Sequence, residues 1–499
     1  PCTSRRRCKA RRTHRPPGQP AALQTAQIEA MTRRHFLGRT TCSFGAAALA
    51  GLLNDGMLAS PLGSMGGPVL PHIPATAKRV IYLHMAGSPP HHDLLDYKPL
   101  LNKRHGETAP QDCYADRSAF VGPNEKVLGT PYRFEQVGGN GAWVSELLPH
   151  FKQIVDETCI VRSMHTDQFN HAPAQLLLHT GHMLQGRPSM GSWLSWGLGT
   201  ENKDLPSFIV LVSGGKKPSA GTATWSSGFL PTVHHGVQCR SGGDPVLAVT
   251  NPDGMSPTMR RHTVDAINRL NHLQADSFGD PEILARIEQY ELAFRMQTAV
   301  PDVMDISQES RETLELYGAN PGESSFANNC LLARRLCESG VRFVQLFDWG
   351  WDVHGTGPGD DLMTQLPAKC AQTDRPTTAL ILDLKRRGLL DDTLVVWSGE
   401  FGRTVMNEKR NGSTFLGRDH HPGCFTIWMA GGGVRAGSVI GSTDEWGAHV
   451  AENPVSVHDL QATILHTMGI NHEQMTYRTQ GRDFRLTDVH GTVRHELLA

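Results

Sequence analysis

Beyond its first sixty residues the 499-residue chain has no apolar run long enough to cross a bilayer, which takes about 20 consecutive apolar residues. No membrane span is therefore expected in the mature chain. The body of the chain also lacks a long basic run, and the formal net charge is −1. That excludes a phosphate-backbone partner, so no nucleic acid is expected. No CxxC pair occurs. Seven cysteines follow residue 60, at Cys113, Cys159, Cys239, Cys330, Cys337, Cys370 and Cys424. An odd number without such pairs is no disulfide framework, although one or two bridges stay open in an oxidising compartment. No repeat of fixed period stands out. What the chain does have is histidine, 25 residues of it, with 51 glycines and 31 prolines that suggest many turns and short elements. At 39% hydrophobic and 19% charged it is ordinary globular material, long enough for one large core or two smaller ones.

The beginning of the chain reads differently from the rest. Residues 1–24 are rich in Arg and Pro and show no apolar periodicity. Met31 then opens MTRRHFLGRTTCSFGAAALAGLL, with two arginines, Phe36-Leu37 and an uncharged small-residue run. This is the pattern of a twin-arginine export signal, and its apolar part, Phe44–Leu53, is too short to span a membrane. Translation is expected to start at Met31. Residues 1–30 are then a disordered over-extension of the gene, 31–60 the signal peptide and 61–78 a linker. The implied location is periplasmic or extracellular, reached through the twin-arginine translocation machinery.

Six short runs rich in β-branched or aromatic residues follow: Arg79–Met85, Thr158–Arg162, Phe208–Val212, Val341–Phe347, Thr393–Trp397 and Phe425–Met429. Continuous apolarity predicts strands covered on both faces, and alternation with helical patterns predicts a mostly parallel α/β sheet. Asn328–Ser339 is amphipathic and stops at Gly340. Pro376–Arg387 starts on proline and stops at Gly388. The charged stretch from Asp280 to Tyr317 reads as an inserted helical element, about 255–320 in all, within a single domain over 79–490. Ser456 with Asp459 predicts a capping-box start to a last helix.

In open parallel sheets ligands bind beyond the C-terminal ends of the strands. Here the residues at those ends are Ser88, His91, His92 and Asp93, then His165, Asp167, Asn170 and His171. Asp348, Asp352 and His354 follow the fourth run, and Ser398, Glu400 and Arg403 the fifth. Asp419, His420 and His421 stand just before the sixth. Five segments thus bring Asp, Glu or His to one rim. Extended residues two apart share a side, so Asp352/His354 and Asp419/His421 are each expected to offer a carboxylate and an imidazole to one ion. Such a set suits a divalent Zn, Mn or Fe better than Ca. With this much histidine the spacing carries little weight, and position at strand ends carries the argument. His84 lies inside a strand and reads as a core histidine or one behind the ligands. His234, His235 and His449 read as surface residues, and Trp349 and Trp351 as packing. Arg403 is open to two roles, holding an anion or pairing with a carboxylate.

Several segments resemble known proteins. DDTLVVWSGEFGRT (391–404), VSVHDLQATILHTMGI (455–470) and HAPAQLLLHTG (171–181) are similar, in the right order, to segments of the alkaline phosphatase and sulfatase superfamily. The stretch from Arg79 to Phe484 further resembles an uncharacterised exported family, domain-of-unknown-function family 1501. PSMGSWLSWGLG, LLARRLCESGVRFVQL with WDVHG, and GRDHHPGCFTIWMAGGGVRAG carry that likeness. The resemblance implies an alkaline-phosphatase-like three-layer α/β sandwich, with a mostly parallel central sheet and helices on both faces. It implies metal ligation at Asp352, His354, Glu400 and His421, with Asp419, His420 and Asp93 as further candidates. His171 falls on the sulfatase nucleophile position, where a Cys or Ser would mature to an aldehyde hydrate. Ala174 and Gln175 replace the signature's Ser and Arg. Type I sulfatase chemistry is therefore not implied.

Two readings result. The first is an exported, metal-dependent hydrolase of phosphate or sulfate esters, acting on an anionic small-molecule or polysaccharide ester. His171 or His165 would serve as nucleophile, base or ligand, and Arg403 would stabilise the charged oxygens. The second is a non-catalytic binding or envelope-assembly protein on the same fold.

Overall fold

Each of the six apolar runs forms a strand in the computed structural model. The structure describes residues 71–113, 124–242, 245–246, 251, 254–408 and 412–499. The expected extension, the export signal and residues 61–70 of the expected linker lie outside these. The chain divides into two compact units, Pro1–Ser64 with Arg269–Leu284, and Met65–Asn268 with Ala285–Ala499. The described part of the first is the end of one helix and the beginning of the next. The second holds the sheet and all that follows.

The strands of the main sheet are β1 (Arg79–Ala86), β2 (Thr158–His165), β3 (Phe208–Ser213), β4 (Val237–Cys239), β5 (Phe343–Trp349), β6 (Thr393–Ser398), β7 (Phe425–Ala430), β8 (Ser438–Ile440) and β9 (Val455–Ser456). Their order is β8-β2-β7-β6-β1-β5-β3-β4, with β9 also paired to β2. Every neighbouring pair is parallel except those made by β7, which runs against both β2 and β6. One reversed strand has a direct consequence. The residues before β7 reach the same rim as the residues after β1, β2, β5 and β6.

Alternation along the strands makes two cores. Ile81, Leu83 and Met85 of β1 join Val344, Leu346, Val395 and Trp397 on one face. Val80 and Tyr82 join Phe343, Phe347, Leu394 and Val396 on the other. The first face is covered by α6 (Phe326–Glu338) and α7 (Gln365–Arg386). The second is covered by α1 (His171–Thr180), α2 (Met190–Leu198) and α8 (Val457–Thr467). This is the three-layer α/β arrangement the sequence predicts. Burial of each large apolar side chain favours it by about 1.5–3 kcal/mol.

Between α2 and α6 in the chain, residues 257–317 form α3 (Pro257–Phe278), α4 (Pro281–Met304) and α5 (Arg311–Tyr317). The expected start of α8 is correct: Ser456 Oγ accepts from Asp459 N, and Asp459 reciprocates to Ser456 N. Helix α6 ends as expected at Gly340, where Val341 N returns to Leu336 O at 3.0 Å. That closing turn uses up Val341 and Arg342, so β5 starts at Phe343 and not at Val341.

Helix α7 differs from the expectation that it starts at Pro376. It starts eleven residues earlier, with Pro376 in its interior. A buried proline there forfeits one backbone hydrogen bond, a cost of about 3 kcal/mol. Leu366, Lys369, Cys370 and Thr373 supply the reason it persists: they lie at helical spacing and are all buried. Residues 71–78 of the expected linker are also fastened. His72 N and Ile73 N donate to Gly469 O, and Thr76 N and Ala77 N to Thr467 O, at the end of α8. The ordered body extends past residue 490, with Arg435 N donating to Leu497 O and Ala499 N to Gly433 O. No disulfide links the seven described cysteines, all of which are buried.

Candidate metal centre

Three imidazoles and one carboxylate meet on the rim. Nε2 of His354 lies 2.8 Å from Asp352 Oδ1, Nε2 of His420 3.2 Å from the same oxygen, and Nε2 of His171 3.2 Å from Oδ2. The donor atoms of these four residues all lie within 4.8 Å of one another. Local structure explains each placement. His171 is the first residue of α1, after Asn170 as N-cap. Asp352 and His354 lie in the turn after β5. His420 sits in a two-residue ribbon, His420–His421 against Gly402–Arg403, that folds back over the rim. Gly87, after β1, passes so close to this turn that a Cβ on it would stand 2.5 Å from Asp352 N. Its φ of +106° suits glycine, and the next residue, Ser88, also holds a positive φ of 63°.

The far nitrogen of every imidazole is held. His171 Nδ1 lies 2.7 Å from Glu400 Oε1, and His420 Nδ1 lies 2.8 Å from Phe169 O. His354 Nδ1 is bonded to Glu408 Oε2. A carbonyl or carboxylate only accepts, so each Nδ1 carries the proton. In the neutral tautomer each Nε2 then turns a lone pair toward the Asp352 carboxylate. Buried lone pairs facing a carboxylate repel unless a cation lies between them. His171 Nε2 makes no hydrogen bond of acceptable geometry despite its burial. This donor set, with its outer acceptors fixing the tautomers, is what a divalent transition ion requires. Three imidazoles with one carboxylate favour Zn, Mn or Fe over Ca.

The electrostatics agree. Burial and the Arg403 guanidinium depress His420 to about 4, against the raising effect of Asp352. Burial opposes charge on His171, yet its contacts with Asp352 and Glu400 raise it to about 9. Burial also opposes charge on His354, but Asp352 and Glu408 raise it. Asp352 is pushed up by burial and, more strongly, held well below the usual carboxylate range by Arg403 and the three imidazoles. Without an ion, protons on His171 and His354 balance the carboxylates.

Glu400 stands one layer behind. Fully buried, it accepts from Gly87 N (3.1 Å), Ser88 Oγ (3.0 Å) and Gln175 Nε2 (3.0 Å) besides His171, with His84 Nε2 3.3 Å away. It orients His171, and His84 lies behind it, one of the two places its strand position leaves open. Arg403 is also fully engaged. It donates to Ser88 O, Arg418 O, Gly87 O and, at 2.7 Å, to Asp352 Oδ1. Of the two roles open to it, the geometry shows the carboxylate pairing.

The remaining candidates lie elsewhere. Asp93 forms a bidentate buried ion pair with Arg418, at 2.8 and 3.2 Å, and is not in the cluster. His421 points the opposite way from His420, its Nε2 reaching Ala448 O at 2.5 Å. Asp419 caps His420 N at 2.7 Å and groups with His354 and Glu408 within 4.8 Å. His165 ends β2 opposite Ser456 and is outside both ligand groups among the described residues. Glu408 was not anticipated. It lies in an irregular loop, and nothing in its spacing marks it out.

No curated protein matches this chain. Among solved structures it is similar to the PsFucS1 sulfatase from Pseudoalteromonas sp., at 13% identity over 85% of this chain and 72% of that one, with a TM-score of 0.36. It is similar to the lipoteichoic acid synthase LtaP from Listeria monocytogenes, at 11% identity over 83% and 75%, with a TM-score of 0.34. It is similar to the alkaline phosphatase from the Antarctic bacterium TAB5, at 10% identity over 79% and 98%, with a TM-score of 0.31. A family model described as "Protein of unknown function (DUF1501)" matches residues 77–498, and the chain belongs to that family.

Proposed function

We propose that the chain is an exported, metal-dependent hydrolase of phosphate or sulfate esters. One observation carries the reading: three imidazole Nε2 atoms converge on Asp352 while an acceptor fixes each Nδ1. His171, Asp352, His354 and His420 would hold the ion. When bound, it would supply Lewis acidity to an ester oxygen and lower the pKa of a reacting water. The chain's own residues set the rest. Glu400 keeps the Nδ1 proton on His171 and aims its other nitrogen at the centre. Arg403 pins the Asp352 carboxylate and the Gly87–Ser88 turn together. Asp352, 24% exposed, opens the centre to solvent.

Export is supported by the twin-arginine pattern at 31–60. Among the described residues no helix is long and apolar enough to cross a membrane. A non-catalytic binding or envelope-assembly protein on the same fold is the second reading. It is favoured by His171, which stands in the nucleophile position of the resembling sulfatases yet has Nδ1 bonded to Glu400 and Nε2 turned to the Asp352 carboxylate 3.2 Å away.

The test is elemental analysis of the purified chain, with turnover of aryl phosphate and aryl sulfate, beside His354→Ala and His420→Ala. Stoichiometric metal and turnover, both lost in the variants, are expected. Absence of both bound metal and turnover would overturn the first reading, and turnover that is lost with the metal in the variants would overturn the second. Metal without turnover would leave the second.

A further inference from the structure

Next to the cluster the same rim opens into a cavity of about 890 Å³. The turn after β3, the end of β4, the start of α6 and the middle of α7 line it. Lys216, Lys217, Arg240 and Arg375 all reach it and are all exposed. Asp348 is the one carboxylate among the lining residues. It is buried and already satisfied by Lys369 Nζ (2.5 Å), Trp351 Nε1 (3.0 Å) and Ser213 Oγ (2.8 Å). Among the described residues no ion pair engages Lys216, Lys217 or Arg240. Arg375 is partly used, donating to the Leu316 and Glu315 carbonyls at the end of α5. A concave surface with several cations and, among the described lining residues, no free carboxylate concentrates anions.

The Trp349 ring stands between Lys216 of the cavity and His171 of the cluster. Lys216 Nζ lies 5.9 Å from the centroid of the Trp349 ring, and the His171 ring lies 6.0 Å from it. The backbone fixes this relation. Gly214, at φ +80°, packs so tightly on Trp349 that a Cβ would stand 2.3 Å from its carbonyl oxygen. The turn therefore delivers Lys216 and Lys217 to the mouth and cannot swing away without breaking that contact.

The other lining groups narrow the ligand. Gln238, Ser324 and Gln372 are neutral hydrogen-bonding side chains suited to hydroxyl groups. The lining rings, Tyr317 and Phe326, are 0% and 5% exposed, so neither presents a face for stacking a base. The cavity volume falls within the range of small-ligand sites, roughly 300–1,000 Å³.

We propose that this cavity binds a second anionic group of the substrate. The substrate is then a hydroxyl-rich polyanion, a saccharide carrying more than one sulfate or phosphate ester. One ester would lie at the Asp352 cluster and another among Lys216, Lys217 and Arg240. The inference rests on the hydrolase reading for the first group only.

The test uses sucrose octasulfate as a binding probe, by calorimetry on the metal-loaded full chain, with wild type beside K216A/K217A. The variant is expected to bind about tenfold more weakly or worse, and with a shallower dependence on salt. Turnover of a singly charged aryl ester should stay within about twofold, since neither lysine touches the cluster. Charge reversal in K216E/K217E should weaken the probe further. Any variant with a shifted melting curve is replaced by R240Q, which reads the same loss. Unchanged probe binding, or aryl-ester turnover falling in step with it, overturns the proposal. So does a single-stranded oligonucleotide of equal charge binding as tightly through the same lysines. Lysine-dependent probe binding without any ester turnover sinks the hydrolase reading and keeps the polyanion site. Turnover with lysine-independent binding does the reverse.

Discussion

His171 Nδ1 and Glu400 Oε1 lie 2.7 Å apart, the glutamate fully buried at the end of β6 and the histidine opening α1. The contact joins two segments 229 residues apart and leaves only Nε2 of the imidazole for the centre. Glu400 itself also accepts from the turn after β1 and from Gln175. Glu400→Gln replaces one accepting oxygen with an amide that must face these donors. Metal affinity is expected to fall about 10- to 100-fold, as for other outer-layer partners of metal-binding histidines. The ligand-field spectrum of the cobalt-substituted variant should keep its shape, because the glutamate is not a ligand. A change of coordination number in that spectrum would place Glu400 on the metal.

His420 and Asp93 offer a contrast between two candidate ligands that the sequence could not rank. His420→Ala removes an Nε2 3.2 Å from Asp352 Oδ1, and bound metal should drop below stoichiometry with little change in the folded metal-free chain. Asp93→Asn should leave the metal in place. It strands Arg418, which is 0% exposed and donates to both Asp93 oxygens, so the cost is to stability, about 3–5 kcal/mol. Elemental analysis and denaturant melts on the two variants separate the effects. Metal loss in Asp93→Asn without destabilisation would reverse the assignment.

The contrast shows what was legible in the sequence. Strands were readable because burial on both faces leaves uninterrupted apolar runs, and the rim followed from their alternation with helices. The reversed direction of β7, which brings Asp419–His421 to the rim although they come before their strand, is a result of the structure and not of the apolar pattern. Which of them faces the centre was not legible. Alternation says that neighbours point apart, but the register is set by the pairing of His420 with Arg403, a contact across 17 residues. Spacing alone therefore pairs 419 with 421, while the structure turns 420 inward. Glu408 and Phe169 escaped because one lies in an irregular loop and the other contributes only its backbone carbonyl. Pro376 misled for a similar reason: local chemistry favours a helix start, and packing of Leu366 and Cys370 overrides it.

Gly87→Ala should damage the centre without touching a ligand. A Cβ there would stand 2.5 Å from Asp352 N and 2.9 Å from the Trp351 carbonyl carbon, both backbone atoms that cannot rotate away. The Asp352 turn must shift, and the φ of +106° is strained for alanine in any case. A loss of about 2–4 kcal/mol in stability is expected, together with weakened metal binding. Gly215→Ala is the control. It has a similar φ of +79° but nothing within 4 Å of its Cβ, so it should cost only the backbone strain, about 1 kcal/mol, and leave the metal bound.

The metal-free chain should show a stability gap between wild type and His171→Asn that depends on pH. Burial alone would lower the His171 pKa, but its contacts with Asp352 and Glu400 raise it from 6.5 to about 9. A raised folded-state pKa means that the folded chain binds the proton more tightly than the unfolded chain does. That contribution is fully present below about pH 6.5, declines as pH rises and is lost above about pH 9. Its size at low pH is on the order of 3 kcal/mol, discounted somewhat because the ring is not wholly enclosed. Urea melts of both proteins with a chelator, at pH 6, 8 and 10, should show the gap shrinking across the series. Asp352, held well below the usual carboxylate range, stays ionised from pH 6 to pH 10 and adds no slope to the difference. A gap constant from pH 6 to pH 10 would mean that His171 is neutral in the metal-free fold. The carboxylates around it would then require the ion, and not a proton, to be held together.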